Sequence, residues 1–261
     1  MGALVNATVA EAVGAPTHPD DPVVTAAACL LAESVPTPCA GLVAYHAPGF
    51  AAFLAASLAP PPPLRTLFLR CVVDDTGVRA VADWRLLGRQ FLLNGVAVRA
   101  QDRGRGLGSL LLEDGAEVAR RLGCDGLLLD VSLENTAARN LYQRTGYGDR
   151  SYQVWTHLDP ATSPTDVPVR IVDWASFTAH RRAYGFGDLR VRVGADEFAV
   201  RCVGAAARVP DGATGAAIRA ALGQLLGIDQ WYVTGASAAP NAEPAFAHFA
   251  RMGRSLPPPG R

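Results

Sequence analysis

Between residues 103 and 108 the chain reads Arg-Gly-Arg-Gly-Leu-Gly, three glycines and two arginines in six positions. Glycine lets a backbone come close to an anion, and a helix starting there turns its first N–H groups and the positive end of its dipole toward it. The chemistry such a run serves is the holding of a phosphorylated ligand; the plainer alternative is a glycine turn before a helix. A P-loop is excluded, because it needs a lysine after its last glycine and this chain has none. A dinucleotide fingerprint fits poorly, since Leu111 stands where a third glycine should follow Gly106 and Gly108. Asp125 and Asp130 meet its acidic position only loosely. Asp130 also lies inside the apolar run Leu-Leu-Leu-Asp-Val, where a carboxylate is costly unless it is paired or used.

The elements that must position these groups follow from periodicity. An apolar strand-like run at 91–98 enters the glycine turn, and Leu107, Leu110, Leu111, Val118 and Leu122 then recur as one face of a helix. A second strand run at 127–131 leads to Asn135, a good N-cap, and to a short helix over 136–144 with Gly146 as its stop signal. Upstream, helices are predicted at 23–35 and 50–59, and the prolines at 60–63 end the second. Strands at 64–73, 78–87 and 91–98 follow, the first two joined by the turn Asp74-Asp75-Thr76-Gly77.

Two of these segments resemble the signatures of the GNAT (GCN5-related N-acetyltransferase) superfamily. Arg103-x-x-Gly106-x-Gly108 is similar to its acyl-CoA pyrophosphate loop, and Asn135, Ala138, Tyr142, Gly146 and Tyr147 are similar to its second motif. The resemblance covers roughly residues 65–158. It implies an α/β (α+β) class protein with a mixed, mostly antiparallel central sheet flanked by helices, and acetyl-CoA or another acyl-CoA as co-substrate. By the same resemblance Val96, Ala97 and Val98 pair with the pantetheine arm from a splayed strand. The N–H groups of Arg103, Gly104, Arg105, Gly106, Leu107 and Gly108 cradle the pyrophosphate, with the Ser109 hydroxyl adding a bond. Asn135 orients the pantetheine, caps its helix, or does both. Tyr142 matches the tyrosine that gives a proton to the CoA sulfur, and otherwise is a core aromatic. Asp130 stands where some members carry a glutamate that acts as base, sometimes through water, and otherwise is an ordinary hydrogen-bonded strand residue. Asp83, His46 and the nearby Trp84 are weaker candidates on the acceptor side.

Composition narrows the class further. The 261 residues carry 24 basic and 24 acidic groups, which argues against a nucleic-acid binder that relies on a broad basic surface. No apolar window is long enough for a transmembrane span, and the amino terminus lacks the basic start of a signal peptide. The cysteines (29, 39, 71, 124 and 202) are odd in number and lack Cys-x-x-Cys spacing, so no zinc site or disulfide framework is expected and a cytoplasmic location is. Residues 1–64 contain no arginine. Within them the family resemblance places an acceptor-lining loop at 36–49, whose neutral, proline-rich composition fits an uncharged acceptor or ordinary packing.

Beyond residue 160 a linker at 159–168 leads to a strand at 169–172, a helical stretch, a hairpin (189–193 with 198–203), a helix at 214–227, a strand at 230–234 and a last helix at 243–252. An offset of 107 aligns Phe91 with Phe198, Gly108 with Gly215 and Tyr142 with Phe249. The expected organisation is therefore a catalytic unit at 1–160, a degenerate, truncated GNAT-like unit at 168–255 that binds no CoA, and a disordered tail at 256–261. The expected activity is N-acylation of a small-molecule amine by direct attack in a ternary complex, by a monomer or homodimer needing no metal, nucleic acid or membrane. A protein N-acyltransferase and a non-catalytic acyl-CoA-binding protein are the alternatives.

Overall fold

A computed structural model describes residues 12–16, 18–159, 167–237 and 245–257. The chain opens with a short strand β1 (Val13–Gly14), helix α1 (Pro22–Glu33) and helix α2 (Phe50–Leu58). Asp21 caps α1 by accepting from the Val23 N–H, and Pro22 at the first turn gives up no needed donor. Strands β2 (Leu67–Asp74), β3 (Gly77–Leu87) and β4 (Gln90–Val98) form an antiparallel meander. Helix α3 (Leu107–Arg121), strand β5 (Gly126–Ser132), helix α4 (Thr136–Arg144) and strand β6 (Gly148–Leu158) complete the first half. The second half holds β7 (Val169–Ile171), α5 (Trp174–Tyr184), β8 (Phe186–Val193), β9 (Asp196–Val203), β10 (Ala206–Arg208), α6 (Gly212–Leu226), β11 (Gln230–Ser237) and β12 (Ala247–Ser255).

All the strands join one sheet in the order β1-β2-β3-β4-β5-β12-β6-β11-β10-β9-β8-β7. Only β4–β5 and β10–β11 pair in parallel; every other neighbouring pair is antiparallel. The two halves are thus stitched together by exchange: β12 runs between β5 and β6, while β6 pairs on its other edge with β11 of the second half.

Residues 243–252, expected to be helical, are corrected here, since 247–255 form β12. Alanine-rich composition favours a helix locally, but the slot between β5 and β6 offers hydrogen bonds on both edges and buries Ala250 and Met252 completely. The offset of 107 consequently holds at the strand–helix passage, where Phe91 and Phe198 lie on β4 and β9 and Gly108 and Gly215 on α3 and α6. It fails at the end, because Tyr142 is on α4 and Phe249 on β12. Leu256, assigned to the tail, is buried and its N–H donates to the Asp125 carbonyl at 2.8 Å. Residues 258–261 and most of the 159–168 linker lie outside the described residues.

The core divides by sheet face. Trp84, Phe91, Leu107, Leu111, Leu127 and Leu129 pack under α3, and α1 and α2 cover the other face, where Phe186 and Val203 of the second half join them. A third cluster around Phe177, Ile218, Leu222 and Trp231 holds the second half together. No described helix is long and apolar enough to cross a membrane.

Candidate active site

The cleft follows from where strands stop pairing. β4 and β5 are in parallel register only from Gln90–Gly126 to Leu93–Leu129. At the next step β4 bulges: Asp83 of β3 faces Gly95 and Trp84 faces Leu93, so Asn94 is the extra residue. Past the bulge Val96, Ala97 and Val98 stay paired with β3, and their other edge faces the opening between β4 and β5. A cavity of about 910 Å³ occupies that opening.

At one end of the cavity stands the glycine run. Gly104 (φ +76°) and Gly106 (φ +85°) adopt left-handed backbone, and Gly106 forms the N-cap of α3. Of the first free N–H groups of the helix, at Gly106, Leu107, Gly108 and Ser109, two therefore belong to residues without a Cβ. Gly108 lets α4 pack closely: a Cβ there would lie 2.8 Å from the end of the Leu141 side chain, which would have to shift. The N–H of Arg103 is taken by the Ala100 carbonyl at 3.3 Å, which leaves the cradle to begin at Gly104. Behind the run, Asp102 is only 3% exposed and receives Arg79 at 2.9 Å and Arg99 at 2.6 Å. Hydrogen bonds from Arg99, reinforced by Arg79, hold its carboxyl below the usual carboxylate range. Sequence reasoning passed over Asp102; its signal was an acid among Arg79, Arg99, Arg103 and Arg105, legible only once β3 brings Arg79 alongside.

Of the residues expected in the site, Val96, Ala97, Val98, Arg103, Gly104, Gly106, Leu107, Gly108, Ser109, Asp130, Asn135 and Tyr142 all line the cavity. Arg105 does not line it; its side chain is largely exposed and approaches Asp102 at 3.7 Å. Asn135 caps α4 by accepting from the Ala138 N–H at 3.0 Å. Tyr142, on that helix, is 5% exposed, and burial raises its phenol well above the ordinary tyrosine value, so it stays protonated at neutral pH. Asp130 on β5 forms a two-pronged pair with Arg251 of β12 at 2.8 and 2.7 Å. Cys39 also lines the cavity, and burial, helped by Glu134, pushes its thiol up to about 11.

The acceptor side contains a constellation that the sequence only hinted at. Asp83 is fully buried, and its Oδ2 accepts from Tyr45 (3.1 Å), Asn94 (2.9 Å) and Arg85 (2.8 Å). Tyr45 and Asn94 line the cavity, and Tyr45 lies over Gly95, where a Cβ would come within 2.3 Å of its hydroxyl. Trp84 points to the other sheet face, stacked on Phe91 at 5.0 Å and against Gly115 of α3. His46 is occupied structurally: its Nδ1 accepts from the Gly41 N–H and its Nε2 reaches the Ala32 carbonyl.

A splayed parallel strand pair beside a glycine-capped helix defines an acetyltransferase-type fold, and comparison with known proteins agrees. Residues 42–147 match the family model for the acetyltransferase (GNAT) family, which marks that segment as a GNAT-type domain. The whole chain is similar to a tandem GNAT protein from the clavulanic acid biosynthesis pathway, solved without acetyl-CoA. The TM-score is 0.67 at 16% identity over 95% of this chain and 100% of that one. A GCN5-related N-acetyltransferase from Sphaerobacter thermophilus aligns with a TM-score of 0.61 at 15% identity over 96% of each chain. A probable N-acyltransferase from Enterococcus faecalis V583 aligns at 0.53 and 10% identity over 94% of this chain and 72% of that one. No curated protein sequence matches the chain.

Proposed function

We propose that this protein is an N-acyltransferase that moves an acetyl or other acyl group from CoA to the amine of a small molecule, by direct attack in a ternary complex. The observation that carries the reading is one continuous cleft, with the glycine cradle at one end, the freed edge of β4 along it, and Tyr142 and Asp130 in its wall. Gly104 through Gly108, with Ser109, take the pyrophosphate. Val96, Ala97 and Val98 offer backbone groups to the pantetheine arm, and Asn135 fixes the mouth of the cleft.

The chemistry needs a neutral amine, a polarised thioester carbonyl and a proton for the departing thiolate. Nitrogen attacks the carbonyl carbon, and the C–S bond breaks as the amide forms. Tyr142, a phenol protonated at neutral pH, gives its proton to the sulfur and is reprotonated from solvent. Asp130 accepts the amine proton through water, its two oxygens oriented by Arg251 and each retaining a further lone pair. A covalent acyl-enzyme on Cys39 is disfavoured, because a thiol titrating at about 11 holds little thiolate at neutral pH.

Two observations favour a small acceptor over a polypeptide. The loop 36–49 is tied to the second half by the Tyr232 hydroxyl, which donates to the Leu42 carbonyl at 3.1 Å. Trp155, Tyr232 and Phe249 also wall the cavity on that side. Four of the five free thiols are buried, in keeping with a reducing compartment. The test is release of free CoA from acetyl-CoA over a panel of small amines. Release with at least one amine, and amide product by mass, is the expected result; tight acetyl-CoA binding with no release across the panel would overturn it in favour of a binding protein.

A further inference from the structure

The far wall of the cavity comes from the second half and carries an unbalanced charge. Strand pairing sets a row of residues side by side across the sheet: Asp188 on β8, Arg201 on β9, Arg208 on β10 and Tyr232 on β11. Arg201, Arg208 and Tyr232 all line the cavity. Asp188 neutralises Arg201 at 2.7 Å, and the Arg201 guanidinium also lies 5.4 Å from the Phe186 ring centre. Arg208, directly opposite Arg201, has no acidic partner among the described residues. Like charges facing each other on adjacent strands are destabilising, and with Asp188 taken by Arg201 the row is one negative charge short. Tyr232 does not supply it, since its hydroxyl is committed to Leu42 and burial raises it to about 12.

This cation lies on the acceptor side of the cleft. Phe186, under Arg201, packs against Phe50 at 6.4 Å, and Phe50 packs against Tyr45 at 4.9 Å. Tyr45 in turn belongs to the Asp83–Asn94 constellation at the β4 bulge. The cradle for the CoA phosphates stands on other elements, at the start of α3 and beside α4.

Resting on the N-acyltransferase reading, we infer that the acceptor is an amine that also bears a carboxylate, held by Arg208 with Arg201 beside it while the amine faces the thioester. A single missing charge calls for a monoanion, and a guanidinium presents a planar fork that matches a carboxylate. The second half thereby supplies substrate recognition, and the neutral loop at 36–49 forms only one side of the acceptor site.

The experiment compares amino carboxylates (the common α-amino acids, β-alanine and 4-aminobutyrate) with their own carboxamides, reading free CoA release at saturating acetyl-CoA. Arg208 is exposed at the cavity wall, so in the wild type kcat/KM should favour the carboxylate of the best pair by about tenfold, as expected of a charge-assisted, two-pronged guanidinium–carboxylate pair. Arg208→Gln should bring that ratio to within about twofold while acetyl-CoA affinity, read by calorimetry, confirms folding; Arg208→Lys should restore part of the preference. If no panel member is acylated, calorimetry on the CoA-loaded protein decides: binding of an amino carboxylate that Arg208→Gln abolishes supports the site even if the transfer reading fails. Equal use of carboxylates and carboxamides, a preference that survives Arg208→Gln, or no carboxylate binding at all overturns the inference.

Discussion

In the proposed reaction, single residues divide the proton work. Tyr142 is buried and lines the cleft, and its phenol is protonated at neutral pH. Tyr142→Phe should lower kcat about tenfold or more, the lower part of the range for a lost general acid, with the Kd for acetyl-CoA nearly unchanged. Unaltered turnover with a true acceptor would remove Tyr142 from the chemistry. Asp130→Asn separates two roles: loss of a proton acceptor lowers kcat about tenfold or more with little change in Tm, whereas loss of a strut to Arg251 lowers Tm and leaves kcat near the wild-type value. Asp102 carries a different pH signature. Its carboxyl is held below the usual range by Arg99 and Arg79, so its stabilisation is complete above the unfolded value of about 4 and is lost as the pH falls through the folded value. Urea midpoints should therefore stay level from neutrality to about pH 4 and drop below it, and Asp102→Asn should lower the neutral midpoint and flatten the acid limb.

At the scale of elements, the cradle depends on backbone that only glycine adopts easily. Gly106 has φ +85° with open space at its Cβ position, so Gly106→Ala costs conformation and creates no clash. That cost is roughly 1–2 kcal/mol, or a few degrees in Tm for a chain of this size. Gly88, in the β3–β4 turn at φ +59° with the same open surroundings, supplies the control. Both variants should lose similar Tm in thermal melts, and Gly106→Ala alone should weaken acetyl-CoA binding; equal effects on binding would show that the loop's geometry is incidental. The strand–glycine–helix passage and the cap at Asn135 were legible in sequence because each rests on local chemistry, a cap, a stop or a left-handed turn. The last element was misread for the converse reason. Residues 247–255 have helix-forming composition, and their strand state is imposed by two neighbouring edges that lie far away in sequence.

For the whole molecule, strand exchange decides stability. β12 enters the first half only after the entire second half has been traversed, and β6 serves both halves. The protein should therefore unfold in one cooperative transition, with calorimetric and van't Hoff enthalpies in agreement. Ala250, fully buried between β5 and β6, is the position at which to break the link. Ala250→Glu should lower the Tm of the whole molecule, at a cost beyond about 4 kcal/mol, instead of melting one half alone. Two separate transitions in the wild type would refute that coupling.

Local sequence by itself determined the glycine turn into α3, the absence of any P-loop and the cap of α4, while Tyr142 and Asp130 were singled out by the family resemblance. The turn and the cap depend on residue types within a turn or two of each other, where backbone conformation follows from side-chain chemistry. Tertiary structure alone decided that Asp83 is buried beneath Tyr45 and Asn94, that Asp130 meets Arg251, and that Arg208 lines the far wall beside Arg201. Each of those facts joins strands or loops distant in sequence, brought together only when twelve strands settle into one register.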